Sequence, residues 1–278
     1  MSLKQEPKEP ARLARDRYPQ LSFFIADMTG CAPKADRHSM EHPMFILSKN
    51  SPDKSVIEYE YNDTTIRITP SGAGFATIWD KDILIYAVSQ LMDAINKGRE
   101  TSRTIRITSY DLMVATNRGT SGRDYEALNA ALVRLRGTTI TTNIISGGRK
   151  RGRGFGLIDE WDIVEKDGSG RMIAIDITLS KWLYSAVTGK EVLTLNRDYF
   201  RLTGGLERRI YELSRKHCGN QAIWSIGLDN LHKKSGSLSS TREFKRMLKA
   251  IISADCIPDY HLELDVQQKN LLVTQKCG

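Results

Sequence analysis

The chain has 278 residues, of which 40% are hydrophobic, and carries a formal net charge of +8 at pH 7. This length can hold two domains of ordinary size, and the apolar share excludes a wholly disordered chain. Residues 196–278 contain 14 Lys and Arg against 9 Asp and Glu, so +5 of the +8 lies in that part. A basic balance favours a polyanionic partner.

The four cysteines are scattered and form neither a CxxC pair nor a disulfide framework; they are Cys31, Cys218, Cys256 and Cys277. The N-terminus is charged and lacks the apolar core of a signal peptide. No apolar run approaches the ~18 residues of a membrane-spanning helix. We therefore expect a cytoplasmic protein without a membrane partner, a bound metal or another cofactor.

The first 40 residues are expected to form a flexible arm, because their N-terminal part is charged and contains Pro7 and Pro10. Beyond it, alternating patterns predict strands at 56–61 and 65–69, joined at an Asn-Asp turn. Helical spacing of apolar residues predicts helices at 80–96, near 181–187 and at 206–217.

A helix-turn-helix pattern occurs twice, at residues 110–135 and 229–252, with an offset of 119 residues and no gap. Both copies place a Ser-x-x-acid capping box at the start of the second helix, Ser121 with Asp124 and Ser240 with Glu243. In this motif the hydroxyl accepts a free N–H of the first turn. The offset also maps Leu112 onto Leu231, Arg123 onto Arg242, Tyr125 onto Phe244, Leu128 onto Met247 and Leu132 onto Ile251.

Strand-like segments follow each copy. After the first come residues 138–145 and 156–165, around the basic Gly-rich tip 147–154, and then a third strand at 172–178. After the second come 260–266 and 271–275. A helix-turn-helix continued by a β-hairpin is the winged-helix order. We predict an α+β fold with two winged-helix domains in tandem, at 41–195 and 196–278.

The second copy is the predicted principal DNA-binding module. An apolar stripe, Phe244, Met247, Leu248, Ile251 and Ile252, faces the core, so the cations between them face outward. Such a helix can enter the major groove. The alternative is a solvated basic face. The DNA-contacting residues predicted here are Arg242, Lys245, Arg246 and Lys249 of the helix, with Lys233, Lys234, Ser240 and Lys269 beside it.

The first copy has a mixed helix, in which Asp124 and Glu126 accompany the basic residues. Its predicted DNA contacts are Arg123 and the hairpin tip, since a flexible basic tip can follow a phosphate backbone or enter a minor groove. An ordinary exposed turn is the alternative. The first module would then contact DNA through its wing, or serve mainly in self-association. The tip cations are Arg149, Lys150, Arg151 and Arg153.

Two further motifs point to other functions. The string His38-Ser-Met-Glu-His42 fits an H-x-x-E-H zinc peptidase pattern, but Pro43 directly after it disfavours the required helix. Because no paired-histidine nuclease motif, P-loop or GxSxG is present either, we expect no enzyme activity. Gln20, Leu21, Phe23 and Phe24 resemble the peptide by which bacterial replication proteins bind the sliding clamp; packing on the first domain is the favoured alternative.

From about Arg17 to its end the chain resembles the plasmid replication initiators of the RepA type, the replication initiator protein A family. The segments that carry the resemblance include Met40–Lys49, Asp80–Tyr86, Leu112–Arg118, Leu135–Thr139, Phe155–Asp159, Leu193–Leu202, Leu206–Leu213 and Leu231–Gly236.

The resemblance implies a tandem winged-helix initiator in a bacterial cytoplasm that binds repeated sequences (iterons) in double-stranded plasmid origin DNA. It also implies origin opening, recruitment of the host initiator and replicative helicase, exchange between monomer and dimer, and repression of its own gene. By analogy the second module recognises the repeat. The alternative is a tandem winged-helix transcriptional repressor without initiator activity; a nuclease or relaxase is a third hypothesis.

Overall fold

The computed structural model describes residues 13–18, 32–49, 55–146, 149–150, 153–166, 171–219 and 221–276. Its main feature is a duplicated unit. The first unit contains helix α2 (Lys81–Asn96), strand β4 (Thr104–Thr108) and helices α3 (Ser109–Ala115) and α4 (Gly122–Gly137). Strands β9 (Ile158–Lys166) and β10 (Arg171–Leu179) complete it. Strand β10 pairs antiparallel with both β4 and β9, in the order β4-β10-β9.

The second unit repeats this order with helix α6 (Gly205–His217), strand β12 (Ile223–Gly227) and helices α7 (Leu228–Ser235) and α8 (Thr241–Ala254). Its hairpin is β13 (Tyr260–Leu264) with β14 (Asn270–Gln275), and the sheet order is β12-β14-β13. The offset of 119 residues maps β4 onto β12 and the first residues of α3 and α4 onto those of α7 and α8. The sequence repeat is therefore a repeat of whole elements.

A four-stranded antiparallel sheet adjoins the first unit, and because of it the predicted place of the basic tip in the wing is wrong. The strands are β2 (Ile57–Tyr61), β3 (Thr64–Thr69), β5 (Thr139–Thr142) and β8 (Arg153–Gly156), in that order, and β6 (Ile145–Ser146) and β7 (Arg149–Lys150) extend the β5–β8 hairpin. Because β5 pairs with β3, and not with β4, the basic tip does not belong to the hairpin that matches β13–β14. That hairpin is β9–β10, whose connection lies outside the described residues.

The predicted arm of residues 1–40 is too long. Strand β1 (Lys34–Asp36) pairs with β11 (Val192–Thr194), and helix α1 (Arg37–Glu41) packs against α6. Ala35 and Met40 are buried in the hydrophobic core of the second unit. Apart from Ile85, the rest of that core begins at Leu195. The core of the first unit ends at Val187, within helix α5 (Lys181–Thr188).

Buried charged side chains join the two units. The carboxylate of Glu212 on α6 accepts hydrogen bonds from the Lys81 ammonium of α2 (2.7 Å) and from the Tyr199 hydroxyl (2.8 Å). Next to it, Arg208 pairs with Asp82 at 2.6 Å. Such pairs cost desolvation energy, and they are tolerated only when each charge has a close partner. The network fixes the start of α2 against α6.

A second ionic cluster surrounds Glu41, at the end of α1, in the same junction between the two units. Its carboxylate pairs with Lys234 of α7, with His217 at 2.7 Å and with Lys216 at 3.5 Å. Burial raises the pKa of Glu41, but the hydrogen bonds from His217 and Lys234 outweigh it and hold the pKa well below its usual range. Glu41 is therefore ionised at neutral pH and links α1, α6 and α7.

Gly236 offers a test of how closely this junction is packed. It ends α7 with a φ of +71°, and a Cβ at this position would overlap the ring of Pro43. Gly98 has a similar φ of +66° but open space around it. We expect Gly98→Ala to lose about 1–2 kcal/mol of the free energy of unfolding for the left-handed conformation alone. Gly236→Ala should lose at least about 1 kcal/mol more, from overpacking. Urea unfolding measures both, and equal losses would contradict the packing described.

Candidate nucleic-acid interface

Helix α8 has one buried and one exposed face, as its sequence predicts. Phe244, Leu248 and Ile251 are buried, whereas Met247 and Ile252 are partly buried at the edge of the same core. The Ser240 hydroxyl accepts a hydrogen bond from the backbone N–H of Glu243 at 3.3 Å, which caps the helix. The apolar stripe and the cap were both predicted, and the structure confirms them.

The four cations between the stripe residues all point outward. We call Arg242, Lys245, Arg246 and Lys249 the basic face of α8; each is exposed. Arg246 forms a two-bond ion pair with Glu243, at 2.6 and 2.8 Å, whereas Arg242 and Lys245 form no ion pair with any residue that the structure describes. This ion pair lowers the pKa of the Glu243 carboxyl and raises that of Arg246. The basic face therefore contains two unpaired cations and one that shares an acid.

The tip of the β13–β14 hairpin lies beside the basic face. The Lys249 ammonium donates to the Gln268 side-chain oxygen at 2.9 Å, which ties the helix to the tip. Asp265 holds the tip by accepting hydrogen bonds from the backbone N–H of Lys269 (2.7 Å) and from the Asn270 amide (2.7 Å). Lys269 and Val266 are both exposed, and Val266 is fully so. Helix α8 and the hairpin thus present one continuous surface.

Sequence reasoning missed two residues of this surface, Val266 and Gln268. A signal for Val266 existed, because an apolar residue between Asp265 and a polar run at a turn has no core to enter. Gln268 gave no signal, since its contact with Lys249 spans 19 residues of chain.

The two lysines predicted on α7 have different surroundings. Lys233 is exposed, in agreement with a surface role. Lys234 is buried, and its ammonium pairs with Glu41 and lies 5.3 Å from the centre of the Tyr61 ring. Adjacent residues on a helix point in directions about 100° apart, and here Lys233 lies on the exposed side of α7 and Lys234 on its buried side. The prediction of a DNA contact by Lys234 is therefore wrong, because its charge is satisfied inside the protein.

Helix α4, the counterpart of α8, carries fewer free cations. Arg123 and Arg136 are exposed, but Arg134 forms a two-bond ion pair with Asp80, both bonds at 2.8 Å. The predicted capping box of Ser121 and Asp124 is present at the start of α4. The Asp124 carboxylate accepts from the backbone N–H of Ser121 at 2.9 Å and from the Ser121 hydroxyl at 2.6 Å. The hydrogen bond from the hydroxyl, with weaker contributions that include Arg17 and Arg118, lowers the pKa of Asp124. The two helices share a fold position and differ in surface charge.

Two predicted groups lie outside the described residues. The side chains of the basic tip, Arg149, Lys150, Arg151 and Arg153, are not part of the described structure, and neither is the segment with Gln20, Leu21, Phe23 and Phe24.

The side chains of the H-x-x-E-H string contact different partners. His38 pairs with Glu191 at 3.0 Å, and Glu41 pairs with the cations of the junction. Burial lowers the pKa of His42 to about 4.

The described part of the chain contains no cluster of three or more His, Cys, Asp or Glu that could hold a metal ion. Within the same ranges, every helix is too short or too polar to cross a membrane.

Comparison with known proteins identifies a family and a similar protein. The model of the family described as replication initiator protein A matches residues 34–262. A protein of Wigglesworthia glossinidia brevipalpis named "Putative replication protein" is 42% identical over 248 residues, which cover 88% of this chain and 90% of that protein.

Crystal structures of domains 2 and 3 of RctB are similar in fold. One has a TM-score of 0.61 at 11% identity and covers 86% of this chain and 96% of the RctB chain. Another has a TM-score of 0.56 at 12% identity and covers 87% of this chain and 97% of that chain. At these identities the likeness concerns the fold.

Proposed function

The chain belongs to the replication initiator protein A family, and on that premise we propose that it binds repeated sequences in double-stranded plasmid origin DNA through the basic face of α8. The observation that carries the proposal is this face: four exposed cations on one side of a helix whose other side is fixed in a core. An α-helix fits the major groove, which is about 12 Å wide, and Arg and Lys there can contact both bases and phosphates.

We further infer that both units are winged-helix domains. Each has the order helix, strand, helix, helix, hairpin, and in each the first strand pairs with the last. In such domains the second helix of the helix-turn-helix enters the major groove, and the hairpin lies beside it. Here that places Val266, Gln268 and Lys269 next to the DNA bound by α8.

The proposal gives the two units unequal roles. The second unit recognises the repeat, whereas the first contacts DNA less strongly and serves self-association, because acids accompany the cations of α4. The complex would open the origin and recruit the host initiator and helicase, and it would repress its own gene. The protein acts without enzyme activity of its own. The segment Gln20–Phe24 remains a candidate sliding-clamp peptide.

A plasmid test distinguishes an initiator from a repressor. A plasmid that carries only a selectable marker, this gene and the DNA flanking it should be maintained in a suitable host. The variant R242A/K245A/R246A/K249A, supplied in place of the wild type, should give no transformants, whereas R37A/K181A, which removes exposed cations from α1 and α5, should behave like the wild type. Repression without maintenance in any host would favour the repressor, and relaxation of supercoiled plasmid by the purified protein with Mg²⁺ would favour a nuclease.

A further inference from the structure

A short N-terminal segment, residues 13–18, lies across both units, and we call it the strap. At its start the backbone of Ala14 exchanges two hydrogen bonds with Arg201, from the Ala14 N–H to the Arg201 carbonyl and from the Arg201 Nε to the Ala14 carbonyl, both 2.8 Å. Leu13 packs against the core of the second unit. The strap is therefore attached to the second unit at this end.

Its other end is attached to the turn between α3 and α4. The Asn117 side chain donates to the Arg15 carbonyl (3.2 Å) and accepts from the Arg17 N–H (2.9 Å), so that one carboxamide holds the strap backbone on both sides of Asp16. The Tyr18 hydroxyl donates to the Arg118 carbonyl at 2.8 Å. All these contacts use the backbone of the arginines and leave their side chains free to face outward.

Arg15 and Arg17 are exposed, and their guanidinium groups form no ion pair with any part of the chain that the structure describes. The acid between them, Asp16, accepts a hydrogen bond from the Tyr18 N–H at 2.9 Å. Arg17 lies near the start of α4, since its charge contributes to lowering the pKa of Asp124. The strap thus places two cations beside a helix that has acids of its own.

We propose that the strap is a second DNA-contacting element, in which Arg15 and Arg17 bind the phosphate backbone next to the first helix-turn-helix. This inference rests on the proposed DNA-binding function and adds two contact residues to it. Arginine suits the task because it stays charged and offers several donors to phosphate oxygens. Attachment to the α3–α4 turn also means that fewer conformations are lost on binding than for a free tail. The strap compensates for Asp124 and Glu126 on α4.

The test is the salt dependence of DNA binding by the full chain. For duplex DNA the logarithm of the association constant falls with the logarithm of salt concentration, with a slope of about −0.9 per phosphate contact. We expect R15A/R17A to reduce this slope by about 1.8, on the DNA flanking the gene and on an unrelated duplex alike. Between 50 and 200 mM salt the variant would lose roughly tenfold less affinity than the wild type. The control R37A/K181A should keep the wild-type slope.

A second variant tests the attachment of the strap. Asn117 has a φ of +55°, which glycine adopts without strain, so Asn117→Gly keeps the turn and removes the carboxamide that holds the strap. Because the arginines are then no longer held in place, the slope should again be smaller than that of the wild type. A wild-type slope in R15A/R17A overturns the inference and leaves the proposed function intact. Absence of DNA binding by the wild-type protein overturns both.

Discussion

Replacement of Glu212 by alanine is expected to lower the free energy of unfolding by about 3–5 kcal/mol. The Glu212 carboxylate is the partner of three buried groups: Lys81, Tyr199 and Arg209, the last at 3.2 Å. The side chains of Lys81 and Glu212 are 2% and 1% exposed. Without the carboxylate the Lys81 ammonium would be left in the interior with no counter-ion, and this cost is larger than the loss of the pair itself.

Two companion variants separate the ion pair from general packing. Lys81→Met combined with Glu212→Met should recover the part of the loss that comes from the unpaired Lys81 ammonium, since it replaces both members of that pair by apolar groups of similar volume. Arg209 loses its carboxylate partner in both variants and keeps its hydrogen bonds to backbone carbonyls, among them those of Met40 and Lys234. Glu243→Ala breaks the exposed pair with Arg246 and should change stability by less than about 0.5 kcal/mol. Urea unfolding followed by tryptophan fluorescence measures all three. An equal loss in Glu212→Ala and Glu243→Ala would contradict the buried network.

The basic face of α8 should dominate the DNA affinity. Lys245→Ala or Arg242→Ala is expected to weaken binding to the repeat by about 1–3 kcal/mol where the side chain contacts a base. Where it contacts a phosphate, all duplexes should be weakened alike and the salt slope should fall by about one. Filter binding or fluorescence anisotropy at several salt concentrations distinguishes the two results for each residue.

A substitution of Glu243, on the same helix, should have the opposite effect on DNA affinity. Its carboxylate is paired with the Arg246 guanidinium and repels phosphates. Glu243→Gln should therefore release the guanidinium and tighten binding to any duplex. Weaker binding by Glu243→Gln, together with unchanged binding by Lys245→Ala, would mean that the DNA lies elsewhere. Because Lys245 is exposed and the Glu243 side chain is 44% exposed, neither change should alter the fold substantially.

Local and periodic features were predictable from the sequence. The offset of 119 residues located both helix-turn-helix units because each helix needs a cap and a buried stripe, and these leave a pattern at 3.6-residue spacing. Helices expected at 80–96 and 206–217 lie within one residue of α2 and α6. The basic face of α8 followed from the same stripe, since residues between buried positions must point outward.

Features that depend on distant parts of the chain could not be predicted. Which hairpin pairs with β4 is decided by contacts over some 70 residues. The strand predicted at 138–145 was therefore joined to the wrong partner, the segment 156–165, whereas β5 pairs with β8, a strand that the sequence analysis placed mostly in the basic tip. Charged residues are normally expected outside. The burial of Arg208 and Lys234 depends on Asp82 and Glu41, which are 126 and 193 residues away, so the count of +5 in residues 196–278 overstates the charge available to DNA.

The attachment of the strap to Asn117 and Arg201 could not be predicted from the sequence either. A charged segment with prolines nearby predicts a mobile tail, and only the position of the α3–α4 turn shows that part of it is held.

We propose above all that the basic face of α8 recognises repeated DNA beside the gene. The most direct measurement is a footprinting titration of that DNA with the wild-type chain, the α8 variant R242A/K245A/R246A/K249A and the control R37A/K181A at one salt concentration. The wild type and the control should protect regularly repeated sites at concentrations about 10³-fold or more below those that cover unrelated duplex. The α8 variant should leave the same sites unprotected while unfolding at the wild-type urea midpoint. Repeated protection by that folded variant at the wild-type concentration would contradict the account.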